Sequence, residues 1–199
     1  MKLKHISIIA ALLFCATVFC QAGEAVESQI GPFNLTGSPL NESTVVASYG
    51  RGYVQEDKAG GKVLGKKHVY YVADQNVWVE IRLSHVLEKN LERSVEAVVV
   101  TKRKLCDKKF TPKKSFGSLI TGKGIKIGDA LDKIIRAYGT PSVSIVLGEE
   151  KSFAVLREEF RLQKGRVLRY LPSQSNDLLF SEFYFADEAL HSILISISE

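Results

Sequence analysis

An α+β protein of two related units, each a short helix packed on an antiparallel sheet, is the fold class this sequence predicts, and three observations predict it. β-rich runs recur from His68 to Ser198 and are joined by turn residues. Two short helical stripes each stop at a Tyr-Gly pair. The stripes also match each other, Val45-Val46-Ala47-Ser48-Tyr49-Gly50 against Ile134-Ile135-Arg136-Ala137-Tyr138-Gly139, the second beginning 89 residues after the first, as an internal duplication would place it.

The chain opens Met1-Lys2-Leu3-Lys4 and runs from Ile6 to Phe19 without a charge, then reaches the small residues Ala22, Gly23 and Ala25. A basic start, an apolar stretch and a small-residue end are the order of a secretory signal, with cleavage after Ala22 or Ala25. The apolar run falls short of the ~20 residues a spanning helix needs, so no transmembrane anchor is expected after cleavage. Cys20 ends the run, but bulky Phe19 precedes it where a lipid-modified cysteine follows a small residue, which disfavours lipid anchoring. The expected destination is the periplasm or the medium.

Removing residues 1–25 takes Cys15 and Cys20 with it and leaves Cys106 as the one remaining cysteine, so no internal disulfide can staple the domain. About 175 residues remain, enough to bury a core unaided. Cys106 then reads as a packing residue, or as an intermolecular link in an oxidising compartment. The 27 basic and 22 acidic side chains become 25 and 22 on cleavage after Ala22, which removes Lys2 and Lys4, close to balance. The excess is local. Lys102 to Lys126 holds nine Lys or Arg and a single acid, Asp107. Such a run reads first as a solvated connector and second as a weak contact for an anionic surface. It lacks the interleaved aromatics that stack bases, so no nucleic-acid partner is expected.

Along the chain, Val26 to Pro39 reads as an entry segment because Gly31, Pro32, Gly37 and Pro39 interrupt any period. Asn41 or Ser43 can cap a helix carrying Val45, Val46 and Tyr49 on one face, stopped by Gly50. His68 to Ala73 and Val77 to Leu83 predict strands joined through Asp74-Gln75-Asn76, and Val95 to Thr101 predicts a third. Gly128-Asp129 opens the second helix, with Leu131, Ile134, Ile135 and Tyr138 as its stripe and Gly139 and Pro141 as its stop. Four strands are expected after it: Phe153 to Phe160, Arg166 to Leu171, Leu179 to Ala186 and Ser192 to Ser198, with a tight Asp187-Glu188-Ala189 link before the last. The resulting division is a leader over 1–25, a first α+β unit over 26–101, a basic connector over 102–123 and a second unit over 124–199.

The stretch from Gly124 to Pro141, Gly-Ile-Lys-Ile-Gly-Asp-Ala-Leu-Asp-Lys-Ile-Ile-Arg-Ala-Tyr-Gly-Thr-Pro, resembles the opening of exported SmpA/OmlA (BamE-like) and β-lactamase-inhibitor-protein-like domains. In that group a turn glycine starts a helix and Gly-x-Pro ends it ahead of an antiparallel sheet. The first half departs from the pattern, with Arg51-Gly52 in place of Thr-Pro and Pro39 where a glycine would open the helix. The resemblance implies tandem units whose helices cover one sheet face and whose other face grips a partner protein. It carries over no inhibitory residue.

Catalytic readings fail on their own chemistry. Gly117-Ser118-Leu119-Ile120-Thr121-Gly122-Lys123-Gly124 approaches a phosphate-binding loop, but Gly124 stands where a Ser or Thr hydroxyl would hold magnesium, so no nucleotide cofactor is expected. His68, His85 and His191 are far apart and form no ligand pair, so no metal is expected. No G-x-S-x-G elbow presents a nucleophile. Glu149-Glu150 and Glu158-Glu159 are adjacent pairs, which on a strand point to opposite faces. An exported hydrolase acting on an envelope polymer would need carboxylates assembled from distant positions.

The polar strand faces point elsewhere. Trp78, Glu80 and Arg82 share one face of their strand, opposite Val77, Val79, Ile81 and Leu83, and Phe180, Glu182 and Tyr184 share a face of another. Trp, Tyr and Arg dominate binding hot spots, whereas large aromatics also pack under loops. The expectation is a non-enzymatic exported module that binds a protein partner through these six residues.

Overall fold

The computed structural model describes residues 26–37, 40–59, 62–84, 93–147, 164–172 and 178–198. The expected leader with Cys15 and Cys20, His85, the strand expected over Phe153 to Phe160, and the pairs Glu149-Glu150 and Glu158-Glu159 lie outside these residues. Among the described residues the elements are β1 (Gln29–Ile30), β2 (Phe33–Asn34), α1 (Glu42–Tyr49), β3 (Tyr53–Ala59), β4 (Lys62–Val72), β5 (Val77–Leu83) and β6 (Val95–Thr101), followed by α2 (Leu131–Tyr138), β7 (Val143–Leu147), β8 (Gly165–Tyr170), β9 (Leu178–Ala186) and β10 (Ala189–Ser198).

This architecture overturns the expected pair of α+β units. Among the described residues the chain is mostly β, with two eight-residue helices, and eight strands form one continuous antiparallel sheet in the order β3-β4-β5-β6-β10-β9-β8-β7. β1 and β2 make a separate two-stranded ribbon inside the segment expected to be irregular. The physical reason for one sheet lies in β6 and β10. Both are apolar strands, and each would be an edge if the sheet were split between them. Unpaired apolar edges invite association, so the two strands instead pair with each other from Ser192↔Thr101 to Ser196↔Ala97.

Local chemistry sets the element ends. The Asn41 side chain accepts the Thr44 N–H at 2.9 Å and caps α1, and Gly50, at φ 76°, ends it by returning its N–H to the Val46 carbonyl. α2 has Ala130 at its cap, without a side-chain bond. One residue earlier, Asp129 accepts the Lys126 N–H at 2.9 Å and pairs with Lys133. Gly139, at φ 77°, stops it as Gly50 stops α1. Of its predicted stripe, Ile134 and Tyr138 reach the core while Ile135 stays 37 % exposed, because eight residues present only two turns to the sheet. Asp187 and Glu188 both take positive φ, the geometry that closes a two-residue hairpin between Ala186 and Ala189.

One face of the sheet holds the main core. Val79, Ile81, Val98, Val100, Ile193, Ile195 and Phe183 meet Val45, Ile134 and Tyr138 of the helices, Ile30 and Phe33 of the ribbon, Phe116 and Leu119 of the basic connector, and Ile125 just after it. Fully burying each large side chain is worth about 1.5–3 kcal/mol, so the connector is structural even though its lysines point to water. Tyrosines stitch the helix ends to the sheet. Tyr70 Oη donates to the Gly50 carbonyl at 2.7 Å, and Tyr170 Oη donates to the Gly139 carbonyl at 3.1 Å. Burial pushes both hydroxyls up to about 12, which keeps them neutral donors.

Buried polar groups hold the rest of this face. Glu27 is 5 % exposed, and its carboxylate accepts the Ser28 and Gln29 N–H groups and the Tyr138 hydroxyl at 2.5 Å. Tyr138 lies also 2.7 Å from Thr121 Oγ1, and its hydroxyl is driven upward first by burial and then by the bond to Glu27. This cluster ties the start of the described chain to α2. On the other side, Glu42 of α1 meets Lys66 and lies 3.0 Å from His68 Nε2. Burial opposes its ionisation, but the bonds from Lys66 and His68 prevail and hold its carboxyl below the usual range.

Gly165 opens β8 at φ 140°, and a Cβ added there would stand 1.9 Å from the Phe185 carbonyl oxygen. Backbone cannot yield as a side-chain tip can. Gly165→Ala is therefore expected to lower unfolding free energy by at least about 2 kcal/mol, measured by urea denaturation, whereas substitution at Gly117, with open space around its Cβ position, costs only its φ strain.

Candidate partner-binding face

The opposite face of the sheet carries all six residues expected to meet a partner. The β5, β6, β10 and β9 registers align them in rows across the strands. One row reads Tyr71, Trp78, Thr101, Ser192, Tyr184, Val167, Ile145. The next reads Val69, Glu80, Val99, Leu194, Glu182, Arg169. A third reads Lys67, Arg82, Ala97, Ser196, Phe180. Neither helix contributes to the side-chain clusters on this face.

Placement on the face does not mean exposure. Trp78 is 4 % exposed, packed with Val69 and Tyr71 against Leu105 and Cys106 of the connector, whose Phe110 carbonyl takes the Tyr71 N–H at 2.8 Å. The Cys106 thiol donates to the Lys108 carbonyl at 3.0 Å and is pushed up by burial, so it behaves as a packing group here. Tyr184 is fully buried in a second cluster with Val99, Leu194, Val167, Ile145 and Leu147. Arg82 and Phe180 remain partly exposed.

Two buried carboxylates organise the centre. Glu80 binds Arg82 Nε at 2.7 Å and Lys67 Nζ at 3.3 Å. Glu182, wholly buried, is gripped by Arg169 and by the Tyr184 hydroxyl. Arg169 also lies over the Phe180 ring, 5.5 Å from its centre. A buried carboxylate without such partners costs several kcal/mol, so these cations are required by the acids they neutralise. Sequence reading found the acids and the aromatics but not Lys67 and Arg169. Both sit at alternating positions on neighbouring strands, and only the cross-strand register shows that they face Glu80 and Glu182.

The arrangement limits the chemistry. Glu80 and Glu182 are separated by three strand spacings, about 14 Å, wider than the ~5–9.5 Å that glycosidase carboxylates need. Each is also committed to a cation on its own side. Of the histidines, His68 is buried beside Glu42. His191 Nδ1 lies 2.8 Å from Ser192 Oγ, and its pKa is lowered by burial and then by Lys102 and Arg103. Among the described residues no three His, Cys, Asp or Glu side chains converge as a metal site would need. In the loop that approaches a phosphate-binding pattern, Gly117 and Gly124 take positive φ and serve turns. No family model, curated protein or solved structure matches the chain.

The pairing geometry sets a stability contrast. Arg169→Met leaves Glu182 buried with the tyrosine alone and is expected to cost about 3–5 kcal/mol in urea denaturation. Arg82→Met costs less, because Lys67 still meets Glu80, and Arg169→Met combined with Glu182→Met recovers part of the loss by removing the stranded charge.

Proposed function

We propose that this chain is an exported, non-enzymatic module that holds a protein partner against the sheet face opposite its helices. The observation that carries the reading is the third row. Arg82 and Phe180 stand partly exposed on a face free of described helices, with Lys67 beside Arg82 and Arg169 stacked on Phe180. Two arginines and an aromatic ring, oriented by buried Glu80 and Glu182, are side-chain types enriched at protein interfaces, and arginine is among those that concentrate binding energy. Their geometry is also prepaid, since the ion pairs fix the long side chains before a partner arrives.

The burial of Trp78 and Tyr184 shifts the contact within that face. Both are withdrawn from solvent, Trp78 beside Leu105 and Cys106 of the connector and Tyr184 in its own cluster, and contact falls to Lys67, Arg82, Arg169 and Phe180. Three cations at the accessible margin favour a partner segment that brings carboxylates. The reading agrees with what the resemblance of residues 124–141 implies, a partner gripped on the sheet side away from the helices. The basic start, apolar run and small-residue end of residues 1–25 support the export part of the reading.

The test is an envelope pull-down in which the protein is compared with Phe180→Ala, expected to keep the wild-type melting temperature within a few degrees, and with Arg82→Ala, expected to melt lower because Glu80 keeps only Lys67, each assayed well below its own melting temperature. A partner recovered by the wild type is expected to be lost or reduced at least tenfold in each variant, the loss of about 1.4 kcal/mol or more that a hot spot implies. Equal recovery with all three would remove this face from the account.

A further inference from the structure

The two edges of the eight-stranded sheet differ in a way that bears on assembly. β3, at one edge, reads Tyr-Val-Gln-Glu-Asp-Lys-Ala, and its pairing with β4 is broken by a register shift between Asp57 and Lys58. Charges and a bulge are the devices that keep an edge from recruiting another strand. β7, at the other edge, reads Val-Ser-Ile-Val-Leu, with no charge, proline or irregularity, and among the described residues it pairs on one side only, with β8. Its outward N–H and C=O groups specify an extended backbone as the complementary ligand.

Beside this edge, on the helix side, lies a groove of about 390 Å³ lined by Leu131, Asp132, Val146, Arg166 and Phe185. Val146 is 40 % exposed there and Ile135 of α2 is 37 % exposed. We propose that β7 pairs antiparallel with β7 of a second copy of this chain, about a two-fold axis through Ile145, giving one sheet of sixteen strands. Three features select a second copy. The sequence is self-complementary, since this register sets Ile145 against Ile145, Val143 against Leu147 and Ser144 against Val146, engages all five residues and opposes no like charges. The register preserves the faces, so the cluster containing Val143, Ile145 and Leu147 continues across the axis while Val146 stays beside the groove. The protected β3 edge stops further addition, so the assembly closes as a dimer and does not propagate as a fibre.

A ladder of five residues is short and buries less than a standard interface even with Val146 and the groove lining added, so the dimer forms with rising concentration. Light scattering coupled to size exclusion, run on the purified chain over a concentration series, is expected to show the mass climbing from one chain to two. Ser144→Lys with Val146→Lys sets like charges at facing positions and is expected to hold the protein at one chain throughout. Ser144→Glu with Val146→Lys sets opposite charges at the same positions and is expected to restore dimerisation, which a variant that merely damaged folding would not do. Ser144 and Val146 are both exposed, and an unchanged melting temperature verifies the fold. One-chain mass at every concentration up to about 1 mM, a dimer indifferent to both double variants, or capture of β7 only by a heterologous peptide would each overturn the proposal. None of these outcomes bears on Arg82 and Phe180, so the two accounts fail separately.

Discussion

Everything in this molecule hangs on the pairing of β6 with β10. These strands are 91 residues apart at Thr101 and Ser192, and their hydroxyls meet at 2.7 Å in the middle of the sheet. The seam closes two apolar strand edges against each other and turns two four-strand meanders into one surface. It also fixes which residues share a row. Without it Glu80 and Glu182 would belong to separate sheets, and Trp78 and Tyr184 would not stand in line across Thr101 and Ser192.

The two faces solve different problems. The helix face is stabilised by burial of aliphatic and aromatic groups, with polar contacts at the helix-stop carbonyls, the Glu27 carboxylate and the Glu42 cluster with Lys66 and His68. Tyr70 and Tyr170 reach the carbonyls of Gly50 and Gly139, so each helix stop doubles as an anchor to the sheet. The opposite face mixes apolar residues with two buried acids. There the ion pairs add little net stability over a hydrophobic replacement, yet losing one partner is expensive. That asymmetry makes the cations structural, and their outer surfaces, together with Phe180, are the portion the proposed partner would touch.

Much of the strand pattern was legible from residues alone, because β5, β6 and β10 alternate cleanly or run apolar between turn signals. The helix stops were legible for the same reason, since Gly50 and Gly139 follow a tyrosine that ends a short stripe. β3 and β7 were not. β3 is charged, and β7 is a five-residue run directly after the Gly-Thr-Pro-Ser turn in which buried Ile145 and Leu147 flank an equally apolar but exposed Val146, so neither shows a clear polar–apolar alternation in its residues. The single sheet was also hidden. Sequence periodicity reports which face of a strand is buried but not which strand lies beside it, and β6 and β10 are joined by a contact between distant residues. The alternation in β5 and β9 placed the six residues expected to meet a partner on one side of the sheet, while the burial of Trp78 beside Leu105 and Cys106 followed from packing of a connector that the lysines had marked as solvated.

The central claim, that the β6 and β10 seam unites the sheet, is tested most directly by native-state hydrogen exchange at the amides of Val98 to Thr101 and Ser192 to Ile195. A single cooperative sheet predicts that the protected amides on both strands exchange most slowly, with the same free energy and the same denaturant dependence, equal to those of global unfolding. Exchange of β6 and β10 with clearly different free energies, one strand opening while the other stays protected, would contradict it.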